Sequence, residues 1–348
     1  MDIHISHQDQ VSISESTDAQ AQGIHVPEAL DIRMRKRSSI RKQTGSGREA
    51  LIGYLFILPS IIGFSIFVLY PLVMSAYYSL TRWDGVTDPV FVGFKNFVYI
   101  FTKDPSFIPS LKATGLFALM SVPVSLIVGL LLAVLLNRNL PGIKLFRTAV
   151  YLPAVLPSIA VLTLWKFIYN PQYGLANQFL SALHLPTSTW LSSYEMALPS
   201  IVIIGLWGVG STMIIFLAGL QSVPKELYEA AKLDGAGTTR LFLRITLPMI
   251  SPILFLQLIL QIITALQAFN QFQVLTSSSS AGDHGGPGFA TTVLMLHIYQ
   301  SGFGSLSQFP QIGYASAEVW VLFILIGLIT IFTFRFSSMW VYEESNLD

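Results

Sequence analysis

The sequence contains no cysteine, which excludes a disulfide scaffold and thiolate metal sites. Charge is nearly as scarce. The 20 Lys+Arg and 19 Asp+Glu make up 11% of 348 residues, against about 25% in an ordinary soluble domain. A compact soluble protein needs charged side chains over its surface, and this chain has too few. Its net charge of +1 provides no broad basic field, so nucleic acid is excluded as a partner. There is no Gly-x4-Gly-Lys-Ser/Thr phosphate loop. The 6 histidines show no metal-ligand spacing such as His-Glu-x-x-His, and no nucleophile motif stands out. Together these absences exclude a soluble enzyme and a disordered chain.

What the chain has instead is long uncharged runs. No charged residue lies between Glu49 and Arg82, between Lys112 and Arg138, or between Glu195 and Lys225. A helix crossing a bilayer needs about 20 mostly apolar residues. Six segments qualify: 52–76, 115–136, 149–168, 198–219, 252–275 and 317–335. Residues 1–50 differ from the rest, with a polar stretch followed by the basic run Arg33, Arg35, Lys36, Arg37, Arg41, Lys42 and Arg48. So long a hydrophilic stretch before so long an apolar segment reads as a disordered tail and an uncleaved anchor, not as a signal peptide. Basic side chains favour the cytoplasmic side. The tail, the loop with Arg138, Lys144 and Arg147, and the loop with Lys225, Lys232, Arg240 and Arg244 are basic. Loops 80–112, 170–197 and 276–316 carry few or balanced charges. The expectation is an all-α integral membrane protein, multi-pass in a bacterial or archaeal cell membrane. Residues 51–340 form its six-span domain, and tails 1–50 and 341–348 are both cytoplasmic.

Pro59, Pro71, Pro123, Pro153, Pro157, Pro199 and Pro252 fall at membrane depth. Each removes a backbone donor and tends to kink its helix. Several such helices in one bundle point to breaks around a pathway. Segment 222–248 reads differently. Pro224 suits a helix start. Leu227, Ala230, Ala231 and Leu233 give an apolar face among Lys225, Glu226, Glu229 and Lys232. Gly235 can end the helix at positive φ, and a second short helix from about Thr239 leads to Pro248. By periodicity alone this is equally a protein-docking helix or a helix lying on lipid.

The wording of that segment goes further. Glu229-Ala-Ala-x-x-Asp-Gly235, continuing to Ile245-x-Leu-Pro248, resembles the EAA loop of ABC-importer permeases, in the branch related to maltose and glycerol-phosphate transporters. Shorter matches extend the resemblance over most of 50–340. They are Phe56-x-x-Pro59, Tyr70-Pro71, Gly93-x-x-Asn96-Phe97, Phe146-Arg147-Thr148, Leu152-Pro153, Leu217–Ser222, Leu275-Thr276, Gly285-Gly-Pro287 and Gly313–Ala317. The chain departs from the branch in its longer N-terminal tail, in an insertion at Ser277–His284, and in Asn270, where Asp is common. The resemblance implies a type I importer permease fold and a cytoplasmic coupling helix that docks on a separate ATPase. Glu229, Ala230, Ala231, Asp234 and Gly235 would form the docking patch. It also implies no cofactor on this chain, ATP-Mg on a partner ATPase dimer, a second permease in a heterodimer, and an extracytoplasmic solute-binding protein.

Polar residues in the apolar segments are the substrate candidates. At 100° per residue Gln257, Gln261, Thr264, Gln267 and Gln271 share one arc of the fifth segment. Their amides suit sugar hydroxyls or, equally, interhelical hydrogen bonds. Gln257, nearer the cytoplasm, reads as the latter. Trp207 and Ser211 share a face of the fourth segment, and the resemblance places a sugar-stacking role on Trp207. It also places 266–271, with Asn270, along the substrate path. His297, Glu318 and Lys166 read as interfacial side chains, and Gly285-Gly-Pro287 as an external turn. The resulting expectation is a sugar-importer permease without its own ATPase site. The alternative is an ion-coupled secondary transporter, which calls for intramembrane acids or inverted repeats.

Overall fold

The computed structural model describes residues 46–138, 140–276, 286, 288, 290–304 and 310–337, with side chains from Leu51 onward. The expected tails, and the insertion at 277–284, lie outside them apart from the backbone of 46–50. The chain divides into two units, residues 1–72 and 73–348. The described part of the first is α1 (Ser46–Phe64), a π-helical turn at Ser65–Leu69, and the start of α2 (Tyr70–Ser79). Pro71 has no N–H to offer Phe67, and the turn just before it is widened, with Tyr70 N–H donating to Ser65 O. The same device recurs in the second unit, where the π turn Phe242–Thr246 precedes Pro248.

The second unit continues through the short antiparallel strands β1 (Thr81–Arg82) and β2 (Val90–Phe91) to α3 (Lys95–Thr102) and α4 (Phe107–Leu136). It goes on through α5 (Ile143–Val155), α6 (Ser158–Ile168), α7 (Leu175–Ala182), α8 (Ala197–Leu206) and α9 (Gly210–Ser222). Next come α10 (Lys225–Leu233), α11 (Thr238–Leu241), α12 (Ser251–Leu266), α13 (Asn270–Thr276), α14 (Leu294–Phe303) and α15 (Ile312–Ser337). Three stretches are long and apolar enough to cross a membrane unbroken: Leu51–Ser79, Phe107–Leu136 and Ile312–Ser337. Three more do so as bent pairs: α5 with α6 at 95°, α8 with α9 at 50°, and Thr238–Met249 with α12 at 66°. The six expected segments are all present, but the third, fourth and fifth are broken.

α4 is the spine of the second unit, about 45 Å long at 1.5 Å per residue. Its first residue, Phe107, sits in an apolar core with Ile100, Leu294, Ile298, Tyr314 and Leu322. Midway, Phe117 and Val122 join Leu162, Leu198, Ile201 and Phe272. At its far end Ala133 and Leu136 pack with Met213, Phe216, Leu220 and Ile250. Small residues allow the close approaches this needs. A Cβ on Gly129 would fall 2.8 Å from Thr212 Cγ2. Two of the short sequence matches have direct structural roles. The Asn96 amide donates to Ser79 O (2.9 Å) and Thr81 O (2.8 Å), holding the β1 turn. Arg147 reaches back from α5 with Nε (3.1 Å) and Nη2 (2.7 Å) to the Leu136 carbonyl that α4 leaves unpaired.

Candidate functional site

The breaks in the third and fourth spans meet at the segment that follows α12, whereas the fifth span's own 66° bend, between Met249 and Ser251, lies at the other end of that helix. Leu156 precedes Pro157 and is extended (φ −69°, ψ 147°), as a residue before proline prefers. This separates α5 from α6. α8 ends at Leu206, and Trp207–Val209 lie between it and α9. α12 ends at Leu266, with Gln267 at φ −97°, ψ 13°. A cavity of about 320 Å³ is lined from these three places: Pro153, Leu156 and Ser158 from the break between α5 and α6, Trp207, Gly208 and Ser211 from the break between α8 and α9, and Asn270 and Gln271 from the start of α13. The remaining lining is apolar, and no charged side chain contributes. Trp207 is 49% exposed and packs edge-on to Trp165 with centroids 5.7 Å apart. Gly210 fixes the second break against α5. A Cβ there would strike the backbone of Val150 and Tyr151.

The cavity thus gathers Trp207, Ser211, Asn270 and Gln271, and leaves Gln267 off its lining. The stripe expected along the fifth segment assumed one continuous helix. Because α12 stops at Leu266, the 100° arithmetic does not carry past it, and Asn270 and Gln271 open a new helix side by side. Gln267 and Thr264 are exposed, and Gln257 is buried. Gln261 donates to Thr212 Oγ1 at 2.9 Å and so ties α12 to α9. Sequence reasoning named Pro153 only among the kinking prolines and missed Leu156, Ser158 and Gly208. The signal was present in Leu156-Pro157 and in the glycines at 205, 208 and 210.

α10 has no buried residue, and it meets the core at the far end of α4 through its half-buried Tyr228. Glu229, Ala230, Asp234 and Gly235 are exposed, Ala231 is half-buried, and Leu233 is 90% exposed. Gly235 ends the helix at φ +78°, with Ala236 N–H returning to Ala231 O at 2.9 Å, a glycine-terminated helix of the expected kind. Pro224 precedes the helix as its cap rather than opening it. One tether holds α10 to the segment ahead of α12: the Tyr228 hydroxyl lies 2.9 Å from Thr246 Oγ1.

Two of the residues read as interfacial are in fact fully interior. His297 on α14 and Glu318 on α15 are 2% and 0% exposed. His297 Nδ1 lies 2.7 Å from Glu318 Oε1, and Nε2 lies 3.5 Å from Asp104 Oδ2. The Tyr314 hydroxyl donates to Asp104. Linear spacing does not show this cluster, because its members are far apart in the chain. Its three donor atoms lie within 4.8 Å of one another, but each imidazole nitrogen faces a carboxylate of its own. Lys166, the third residue read as interfacial, is exposed and donates to Val274 O at 3.1 Å.

Broken membrane-crossing helices around a polar-tipped cavity, beside an exposed amphipathic helix, define a transport subunit. Residues 125–343 match the family described as binding-protein-dependent transport system inner membrane component, and the chain belongs to that family. The probable ABC transporter permease protein YesP of Bacillus subtilis (strain 168) is 37% identical over 314 residues, 90% of this chain and 96% of that protein. The trehalose/maltose transport system permease protein MalF of Thermococcus litoralis is 36% identical over 286 residues, 82% and 92% of the two chains. A crystal structure of a bacterial alginate ABC transporter, in complex with an alginate pentasaccharide-bound periplasmic protein, aligns with TM-score 0.70 at 25% identity. That alignment covers 82% of this chain and 93% of the other. The protein is therefore a membrane-spanning permease subunit of an ABC importer, and the ion-coupled alternative finds no support.

Proposed function

We propose that this chain forms half of a saccharide pathway, and that the cavity at the two helix breaks and the start of α13 is its share of that pathway. The observation that carries the reading is the cavity lining. It presents the open face of Trp207, the Asn270 and Gln271 amides and the Ser211 hydroxyl, with no charged group. An indole face packs on a sugar ring while amides bond its hydroxyls. The names of the trehalose/maltose and alginate relatives support a saccharide cargo. A second permease completes the path in a heterodimer, and an external binding protein delivers the substrate.

In this reading α10 lies in the cytoplasm and couples the permease to an ATPase dimer, which holds the ATP-Mg. Glu229 pairs with a basic group there, and Ala230, Ala231 and Gly235 admit a close approach, with Asp234 at their edge. Both termini are cytoplasmic, as the basic loops require. Gln267, exposed and off the cavity lining, takes a lesser part than Asn270 and Gln271. The test is reconstitution of the full transporter in liposomes with its binding protein, followed by saccharide uptake. Uptake that requires both ATP and the liganded binding protein supports the reading. Uptake driven by an ion gradient without ATP contradicts it.

A further inference from the structure

The Asp104–His297–Glu318 cluster lies at the end of α4 remote from α10. Phe107, three residues after Asp104, belongs to the core at the start of α4. The core around Val223 and Tyr228 lies at its other end, about 45 Å away. The cluster joins three separate parts of the chain: the loop before α4, α14, and the start of α15. We propose that the His297–Glu318 pair, bracketed by Asp104, is a proton-dependent latch that closes this far layer of the permease and loosens as the pH rises.

The argument is one of charge and burial. A proton on the line between His297 Nδ1 and Glu318 Oε1 (2.7 Å) lets the pair enter the apolar core without an uncompensated charge. Removing it leaves a neutral ring between two carboxylates, with Glu318 fully buried. Among the described residues, His297 is the only cation within ion-pair distance of Asp104 or Glu318. Tyr314 from α15 donates to Asp104, and Tyr99 from α3 packs edge-on to Tyr314. No cation from those elements replaces the lost proton. An unpaired buried charge is costly, so deprotonation favours opening the contact among the three segments.

α14 has 10 residues, too few to cross a bilayer. Burial there pushes the His297 imidazolium down, but the Glu318 hydrogen bond and charge, with Asp104, outweigh this and hold it above its ordinary 6.5. For a raised histidine, the stabilisation is complete below pH 6.5 and is lost as pH climbs through the higher, folded-state value. The latch therefore works against alkaline, not acid, conditions.

The test is thermal unfolding of the assembled transporter from pH 6 to 9, for wild type, His297→Gln and Asp104→Asn, each with and without EDTA. We expect the wild-type Tm to fall by on the order of 5 °C across that range. His297→Gln should lack this fall, and Asp104→Asn should shift its midpoint towards acid. Should His297→Gln fail to assemble, the direction of the Asp104→Asn shift decides the matter. Parallel profiles for wild type and His297→Gln, or an unmoved Asp104→Asn midpoint, overturn the latch. An EDTA effect present in wild type and absent in His297→Gln also overturns it, by showing that a metal and not a proton holds the cluster.

Discussion

Replacing Trp207 with alanine separates a substrate contact from a packing residue. The side chain is 49% exposed, which leaves on the order of 100 Å² of a tryptophan open. A sugar ring covering roughly half of that, at about 25 cal/mol per Å², gains ~1.3 kcal/mol, or about tenfold in occupancy. Packing contributes less than at a core tryptophan, where truncation costs about 3–5 kcal/mol. The edge contact with Trp165 is worth about 0.5–1.5 kcal/mol. Trp207→Ala should therefore assemble and hydrolyse ATP near the wild-type rate, while moving roughly tenfold less saccharide per ATP. The assay is uptake and phosphate release measured on the same liposomes. An unchanged ratio in a normally assembled variant refutes the reasoning and makes Trp207 structural.

At α10, Glu229→Lys and Gly235→Val should leave the chain in the membrane but cut ATPase copurification. The first reverses an exposed charge, and the second strains a residue at φ +78° by about 1–2 kcal/mol. Full copurification and transport in both would remove α10 from coupling. Gly210→Ala should destabilise the chain by about 1–3 kcal/mol, since its Cβ meets the α5 backbone, whereas Gly205→Ala, with open space around it, should be neutral. Equal thermal stabilities for the two would show that the break in the fourth span is not pinned there.

The sequence makes the spans legible because bilayer thickness imposes a length and a lack of charge that few other structures share. The Gly235 stop was equally legible, since it depends on one residue and its own φ. Helix breaks were only half visible. Proline marked Leu156-Pro157, but Pro123 sits inside the unbroken α4, and the stop at Leu266 involves no proline at all. A periodicity argument assumes a continuous helix, so it grouped Gln267 with Gln271 and set Asn270 apart. The structure does the reverse for Asn270 and Gln271. The His297 cluster had no local signal, because its partners are 21 and 193 positions away (318 − 297 and 297 − 104). Buried ion pairs between distant segments become visible only when the chain is folded.

The absence of cysteine leaves this chain with no thiol of its own to compete in one measurement. Single cysteines introduced at Ser211 and at Gln271, on separate elements lining the cavity, can be labelled in the assembled transporter with a water-soluble thiol reagent. If the cavity is the saccharide path, both react, labelling blocks uptake, and turnover with the transported saccharide slows the reaction. If both positions label at the same rate with and without substrate, and the labelled transporter still imports, the path runs elsewhere.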